Sequence, residues 1–209
     1  MSSVLPSPTT HLLYLHGFRS SPRSAKATQL GEAFRTQFPQ VTWHCPQLSH
    51  SPADAMASTL VEIAGWPAES SAVVGSSLGG FYARWLGLKL GWKRVLLNPA
   101  VFPARDLARY IGPQTAWHDP QSQFEFRQEH VDALKTMEAE LDIWAARHPA
   151  TPDRQLAIIQ QGDEVLDWRE MSSFAAGGDT LILPDGDHAI SDFERHIPRV
   201  LRFLHPAPS

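Results

Sequence analysis

Six consecutive residues, Gly75 to Gly80, constrain the fold of this chain more than any other feature. They read Gly-Ser-Ser-Leu-Gly-Gly, follow the apolar run Ser71–Val74 and precede a stretch with helical amphipathic spacing. A strand, a serine flanked by glycines and a helix, in that order, match the G-x-S-x-G turn called the nucleophile elbow. Such a turn holds its serine, here Ser77, in a strained conformation with the hydroxyl exposed at the end of a sheet. The pattern therefore predicts a sheet that presents a reactive serine.

The rest of the chain alternates between strand and helix patterns. Six short β-rich runs predict strands at 11–16, 41–45, 72–75, 94–98, 156–160 and 180–183. Several runs are apolar at consecutive positions, which favours strands covered on both faces, as in a parallel sheet. Between them, apolar residues recur at helical spacing, and the last helical pattern is expected to break or restart at Pro198. We predict a three-layer α/β fold with about six mostly parallel strands, in the order 2-1-3-4-5-6, and helices on both faces.

The length of 209 residues suits one domain, which we place at 11–205 with tails at 1–10 and 206–209. The alternation lapses between about residues 102 and 152. An irregular stretch at 112–120 is followed there by one long helical pattern, with apolar residues that include Leu134 and Leu141. Two interpretations stay open for this excursion: a lid or cap over the carboxyl ends of the strands, or a plain packing helix.

Charge and cysteine content argue against several classes of protein. The net charge is −4 and the basic residues are scattered, so we expect no nucleic-acid partner. The first residues lack a basic start and a long apolar core, and no apolar run approaches the roughly 18 residues of a membrane helix. We therefore expect a cytoplasmic protein without a membrane partner. The single cysteine, Cys45, excludes an internal disulfide and lies in an apolar run, where we expect a buried, inert thiol.

A serine hydroxyl is a poor nucleophile, so Ser77 requires a base, an acid that orients the base, and N–H donors for the oxyanion. The donors are expected from Phe18, in the His-Gly-Phe turn after the first strand, and from Leu78, which follows the serine. His16, Gly17 and Arg19 belong to the same turn as Phe18 and would face the substrate. Because His16 precedes the glycine, its main expected role is to shape the loop.

The base is expected in the loop after the last strand. That loop reads Asp-Gly-Asp-His-Ala over 185–189, and His188 alone among the ten histidines combines a late position with a tight loop after a strand. His196 lies on the last helix, where a solvated or packing role is expected.

The acid is expected after the penultimate strand, where three carboxylates follow Gly162. Asp163 comes first and is favoured, with Asp167 as its rival and Glu164 third. The chain order serine, aspartate, histidine is that of the α/β-hydrolases.

With these motifs together, the chain resembles the YqiA-like small bacterial esterases of the α/β-hydrolase superfamily. The residues that carry the likeness lie at 14–18, 20–22, 26–27, 75–80, 97–100, 162–167 and 186–189. The resemblance implies a compact esterase without a cofactor, with Ser77 as nucleophile, His188 as base and Asp163 as acid. The chain departs from that pattern at Trp168, where a tyrosine is expected, and at Arg19, where a small polar residue is usual. Both positions would lie near the site.

The expected reaction is hydrolysis of a small carboxylic ester or thioester through an acyl-enzyme. One alternative is a ligand-binding or interaction protein that keeps the fold without turnover. A metal hydrolase is disfavoured, because no His/Asp pair has convincing ligand spacing. Four aromatic residues of the excursion either line an acyl pocket or form the core beneath it: Trp117, Phe124, Phe126 and Trp144.

Overall fold

The computed structural model of the protein describes residues 8–117 and 119–204. In chain order the elements are β1 (His11–Leu15), α1 (Ala25–Gln37), β2 (Thr42–His44), α2 (Pro52–Glu62), β3 (Ser71–Ser76), α3 (Leu78–Leu90), β4 (Lys93–Leu97), α4 (Pro103–Leu107), β5 (Gly112–Ala116), β6 (Asp119–Phe126), α5 (Gln128–Arg147), β7 (Gln155–Gln160), α6 (Trp168–Phe174), β8 (Asp179–Leu183) and α7 (Ile197–Leu204). Short 3₁₀ turns lie at Ala68–Ser70, Ala108–Tyr110 and Phe193–Arg195.

Six strands form one sheet in the order β2-β1-β3-β4-β7-β8, and every neighbouring pair is parallel. Because β5 and β6 leave this sheet, the order corresponds to the predicted 2-1-3-4-5-6, and the predicted α/β fold is confirmed. The winding direction reverses between β1 and β3. In an open α/β sheet a crevice forms outside the carboxyl ends of the strands at such a point, and ligands bind there.

The sheet is covered on both faces by separate hydrophobic layers. Side chains alternate along each strand, so Val73 faces one layer and its neighbour Val74 faces the other. The first layer packs against α2 to α6, and the second packs against α1 and α7. This double cover explains why the strands read as continuous apolar runs.

The excursion differs from its prediction. The stretch at 112–120, which we expected to be irregular, contains β5 and the start of β6, which pair as an antiparallel hairpin. The prediction was wrong because Gly112 and Pro113 read as turn residues, although they form an edge strand. The long helix is present as α5, with Leu134 and Leu141 buried. Helices α2, α4 and α6 were not predicted.

The sheet domain also begins earlier than expected. Thr9 is buried, and its hydroxyl donates a 2.5 Å hydrogen bond to the Leu204 carbonyl at the end of α7. The N–H of Thr10 donates to the Ser70 carbonyl at 2.8 Å. Thr9 and Thr10 therefore belong to the ordered structure rather than to the predicted tail. The rest of that tail, apart from Pro8, and all of 206–209 lie outside the described residues.

The close contact between β3 and α3 makes Gly75→Ala a destabilising substitution. A Cβ at Gly75 would lie 1.9 Å from the Gly79 carbonyl oxygen and 2.8 Å from the Ala83 Cβ. The helix would have to move off the sheet, so we expect the free energy of unfolding to fall by about 3 kcal/mol, measured by urea denaturation. The control is Gly65→Ala, where a Cβ meets nothing within 4 Å and a change within about 0.5 kcal/mol is expected. Equal urea midpoints for the two variants would contradict this account of the elbow.

Candidate active site

Ser77 lies at the turn between β3 and α3 with φ 57° and ψ −123°. Positive φ is rare for residues other than glycine, and such strain persists only when the surroundings hold it in place. Here the Ser77 N–H donates to the Leu97 carbonyl at 3.0 Å, and the Ser77 carbonyl accepts from the N–H groups of Gly80 and Ala100. The backbone on both sides of the serine is therefore held by β4 and its following loop.

His188 lies between Ser77 and Asp163. Its Nε2 is 3.0 Å from the Ser77 Oγ, and its Nδ1 is 2.7 Å from the Asp163 Oδ2. The Asp163 side chain is fully buried and the His188 side chain is 16% exposed. Because a carboxylate can only accept, Nδ1 carries the proton of the neutral ring. That tautomer leaves the lone pair of Nε2 directed at the serine hydroxyl.

The three carboxylates that follow Gly162 take different positions. The Oδ1 of Asp163 accepts hydrogen bonds from the N–H groups of Val165 and Leu166, each at 2.8 Å, which fixes the carboxylate toward the imidazole. Asp167 instead caps α6 by accepting from the Arg169 N–H at 2.9 Å. Glu164 accepts from the backbone N–H of His188 at 3.0 Å. Of the three, Asp163 is the one whose carboxylate meets the histidine ring.

The turn after β1 packs directly against the serine. A Cβ at Gly17 would lie 3.3 Å from the Ser77 Cβ, so this position favours glycine. The Nε2 of buried His16 accepts the Leu48 N–H at 3.1 Å, so its Nδ1–H donates to the Gly17 carbonyl at 2.9 Å. These two hydrogen bonds connect the His16 ring to the turn after β1 and to the loop at Leu48. Phe18 and Leu78 line the same cavity as the serine, and within the described residues neither N–H has an acceptor.

The aromatic residues of the excursion divide between the two interpretations offered by the sequence. The ring centroids of Phe124 and Phe126 lie 6.0 Å and 5.1 Å from that of Phe18. Both rings therefore pack against the turn that follows β1. Trp144 packs on Trp85 in the core, with ring centroids 5.4 Å apart. Trp117 lines the cavity and is 69% exposed.

The cavity at Ser77 has a volume of about 350 Å³. Arg19 joins its wall to the β5–β6 hairpin: its Nε donates to the Thr115 carbonyl at 2.6 Å, and its own carbonyl accepts the Trp117 N–H at 2.9 Å. The guanidinium also lies 5.4 Å from the Trp117 ring. Of the two departures from the YqiA-like pattern, Arg19 is among the lining residues, whereas Trp168 is not.

Two residues that were not singled out as functional support the histidine loop. The buried Asn98, at the end of β4, donates to the Asp187 carbonyl at 3.0 Å and accepts the Gln160 N–H at 2.9 Å. The Oε1 of Gln160, at the end of β7, accepts the Asp187 N–H at 2.6 Å. The sequence does contain a signal for both residues: each is a polar residue at the end of an apolar run that predicts a buried strand. Such a residue needs a partner at the edge of the sheet where the loops meet.

Other chemistry has less support in the described part of the chain. Cys45 is half-buried, and burial raises the pKa of its thiol to about 12, so the reactive thiolate is scarce at neutral pH. No group of three His, Cys, Asp or Glu residues suited to a metal ion occurs among the described residues. In the same part of the chain, no helix is long and apolar enough to cross a membrane.

A sequence model of an uncharacterised protein family, UPF0227, matches residues 11–205. The chain belongs to this family. The resemblance to YqiA-like proteins that the motifs indicated is thereby confirmed. The match to UPF0227 spans all six strands of the parallel sheet and every residue of the candidate site.

Solved structures show how widely the fold of this UPF0227 protein is shared. Est1E from Butyrivibrio proteoclasticus is 14% identical with a TM-score of 0.67, and the match covers 97% of this chain and 88% of Est1E. A structure from the metagenome-derived lipolytic enzymes LipS and LipT is 19% identical, with a TM-score of 0.66 and 94% of each chain covered. The mouse alpha/beta hydrolase domain-containing protein 10 is 13% identical, with a TM-score of 0.66 and coverage of 98% and 97%. At such identities the likeness shows the α/β-hydrolase fold.

Proposed function

We propose that this UPF0227 protein is a serine hydrolase that cleaves small carboxylic esters or thioesters through an acyl-enzyme. The observation that carries the proposal is the hydrogen-bonded series Asp163–His188–Ser77, which ends at a strained serine on a cavity wall. Several structural neighbours are named as esterases or lipolytic enzymes, which supports a hydrolase with this type of substrate.

In the first half-reaction the Ser77 Oγ attacks the carbonyl carbon of the ester, and the hydroxyl proton passes to the Nε2 of His188. Asp163 stabilises the imidazolium that results. The carbonyl oxygen becomes an oxyanion, for which we assign the N–H groups of Phe18 and Leu78 as donors. Losing one such donor typically costs about 10²–10³ in rate. The ester C–O bond then breaks, and Nε2 returns the proton to the leaving alcohol oxygen.

In the second half-reaction a water molecule attacks the acyl-enzyme. His188 takes one proton from the water and returns it to the Ser77 Oγ as the acyl–serine bond breaks. The products are a carboxylic acid, which ionises at neutral pH, and the free enzyme. The chain's own residues supply every proton transfer in this sequence of steps.

We also propose that part of the excursion covers this cavity. Pro103 and Leu107 of α4, Tyr110 and Trp117 all line it. The long helix α5 instead packs against α3 and belongs to the core. Both interpretations of the excursion therefore apply, each to a different part: α4 and the hairpin act as the cover, and α5 as the packing helix.

The size of the cavity predicts a preference for short acyl chains. A volume of about 350 Å³ lies near the lower end of the range for small-molecule pockets, roughly 300–1,000 Å³. We expect kcat/KM for 4-nitrophenyl acetate and butyrate to exceed that for the palmitate ester by at least about tenfold, measured in a graded acyl series. A chelator should leave the rates unchanged. Failure to hydrolyse any ester of the series would contradict the proposed function.

A further inference from the structure

One part of the cavity wall is the beginning of α1. Ser24, Ala25 and Lys26 line the cavity there. The first N–H groups of a helix have no partner within the helix, and this end carries the positive pole of the helix dipole. The Ser24 side chain does not cap α1, and no acidic residue lies in the first turn. The helix of 13 residues thus presents an uncapped, positively polarised end to the space beside Ser77.

Lys26 adds a full positive charge at the same place. Its ammonium donates a hydrogen bond to the Ala189 carbonyl, next to His188. The nearby carboxylates are engaged elsewhere: Asp163 holds the His188 ring, and Asp187 accepts from the hydroxyl and the N–H of Ser191. Within the described residues, no carboxylate lies within ion-pair distance of the ammonium. A half-buried cation without an ion-pair partner favours an anionic ligand.

Tyr14 supplies an independent indication. The residue is fully buried and lines the same cavity, and its hydroxyl makes no hydrogen bond of normal geometry. The hydroxyls of Ser24 and Ser76 lie near it without reaching that geometry. A buried hydroxyl without a hydrogen-bond partner is destabilising, and an acceptor oxygen of a ligand would relieve this.

Among the charged side chains of the lining, cations outnumber carboxylates. Arg19 and Arg109 also line the cavity. The one lining carboxylate besides these groups, Asp106, is held by the Arg105 Nε at 2.8 Å. The electrostatic potential of the cavity therefore attracts anions.

We propose that the ester cleaved at Ser77 carries a second, anionic group, such as a carboxylate, which binds to Lys26, the N-terminus of α1 and the Tyr14 hydroxyl. The inference rests on the proposed function, because it names the class of ester that the hydrolase accepts. It gives the cavity two functions: Ser77 reacts with the ester carbonyl, and the anion subsite fixes the orientation of the substrate.

The test compares matched neutral and anionic esters at pH 7. For an anion on the acyl side, 4-nitrophenyl butyrate is compared with the mono-4-nitrophenyl esters of succinate, glutarate and adipate, which vary the spacing between ester and carboxylate. For an anion on the alcohol side, phenyl butyrate is compared with 4-carboxyphenyl butyrate. A charge-assisted contact predicts that at least one anionic ester exceeds its neutral partner about tenfold or more in kcat/KM.

The variant Lys26→Met should lower that anionic-to-neutral ratio by about tenfold. The matched control is Lys89→Met, which removes an exposed lysine that lies over Trp85 near the C-terminal end of α3, whereas the cavity-lining Leu78 begins that helix, and which should leave the ratio unchanged. A pH series on the unaltered protein tests the same lysine without a substitution. Burial lowers the pKa of Lys26 to about 8, partly opposed by the charges of Asp187 and Asp163. The ratio should therefore be highest below pH 7 and fall as the pH rises through about 8.

Each outcome separates the inference from the function on which it rests. Turnover of both ester types with ratios near one, or a ratio that Lys26→Met leaves unchanged, would overturn the anion subsite while leaving the hydrolase intact. Absence of turnover with every ester would overturn both.

Discussion

Replacing Ser77 with alanine is expected to reduce kcat/KM for 4-nitrophenyl butyrate by at least about 10⁴-fold. The Oγ is the atom that we assign to the attack, and the Nε2 of His188 lies 3.0 Å away to take its proton. Without the hydroxyl no acyl-enzyme forms, and the remaining catalysis comes only from binding and from the oxyanion donors. Steady-state kinetics on the purified variant measures the loss, with circular dichroism to show that the fold is retained.

The matched control for this loss is Ser58→Ala. Ser58 is an exposed serine of α2 whose hydroxyl bonds within its own helix, to the Asp54 carbonyl. Its removal should change kcat/KM by less than about twofold, in line with a surface position far from the cavity. A Ser77→Ala variant that keeps the activity of Ser58→Ala would show that another group performs the attack.

The second large effect distinguishes Asp163 from Asp167. Asp163→Asn should lower kcat by about 10³–10⁴-fold, because an amide that donates to Nδ1 stabilises the wrong tautomer of His188. Asp167→Asn should change kcat by less than about threefold. Asparagine is as good an N-cap as aspartate, so the cap on α6 is retained. Both variants replace a carboxylate with an amide of the same shape, so a difference in kcat between them depends only on the position of the aspartate. Steady-state kinetics with the same ester measures this difference.

The reverse order of these two effects would assign the acid to Asp167 and contradict the hydrogen bonding seen at Asp163. Comparable losses in both variants would show that the whole loop after β7 acts as one unit. The free energy of unfolding of each variant separates these outcomes from a general loss of structure.

Local features of the sequence were enough to predict the main sheet and the placement of the candidate triad. Parallel strands buried on both faces leave an apolar run that is visible without tertiary knowledge, as at Val73 and Val74. The elbow around Ser77 is equally local, because steric exclusion acts between β3 and the helix that directly follows it. Loops at the carboxyl ends of parallel strands meet at one edge, which allowed Asp163 and His188 to be placed by topology.

The features that the sequence analysis missed depend on contacts between distant segments. The β5–β6 hairpin is held by Arg19, which lies 96 residues before Thr115 in the chain, and by aromatic packing on Phe18. Asn98 and Gln160 also depend on a distant segment. In the sequence they only end two predicted strands, whereas in the structure they bond to the backbone of Asp187 in the histidine loop. Lys26 appeared only as part of a family motif, and its charge without an ion-pair partner becomes visible once α1 is seen to begin at the cavity.

The most direct test of the account is the site of covalent labelling by a fluorophosphonate, which reacts with activated serines. We expect one adduct per chain by intact mass spectrometry, located by peptide mapping to the segment that contains Ser77 and absent from Ser77→Ala. The rate of labelling should fall strongly in Asp163→Asn, because His188 activates Ser77 toward the fluorophosphonate as it does toward an ester. Failure of the wild-type protein to label, or labelling at a different residue, would contradict the assignment of Ser77 as the nucleophile.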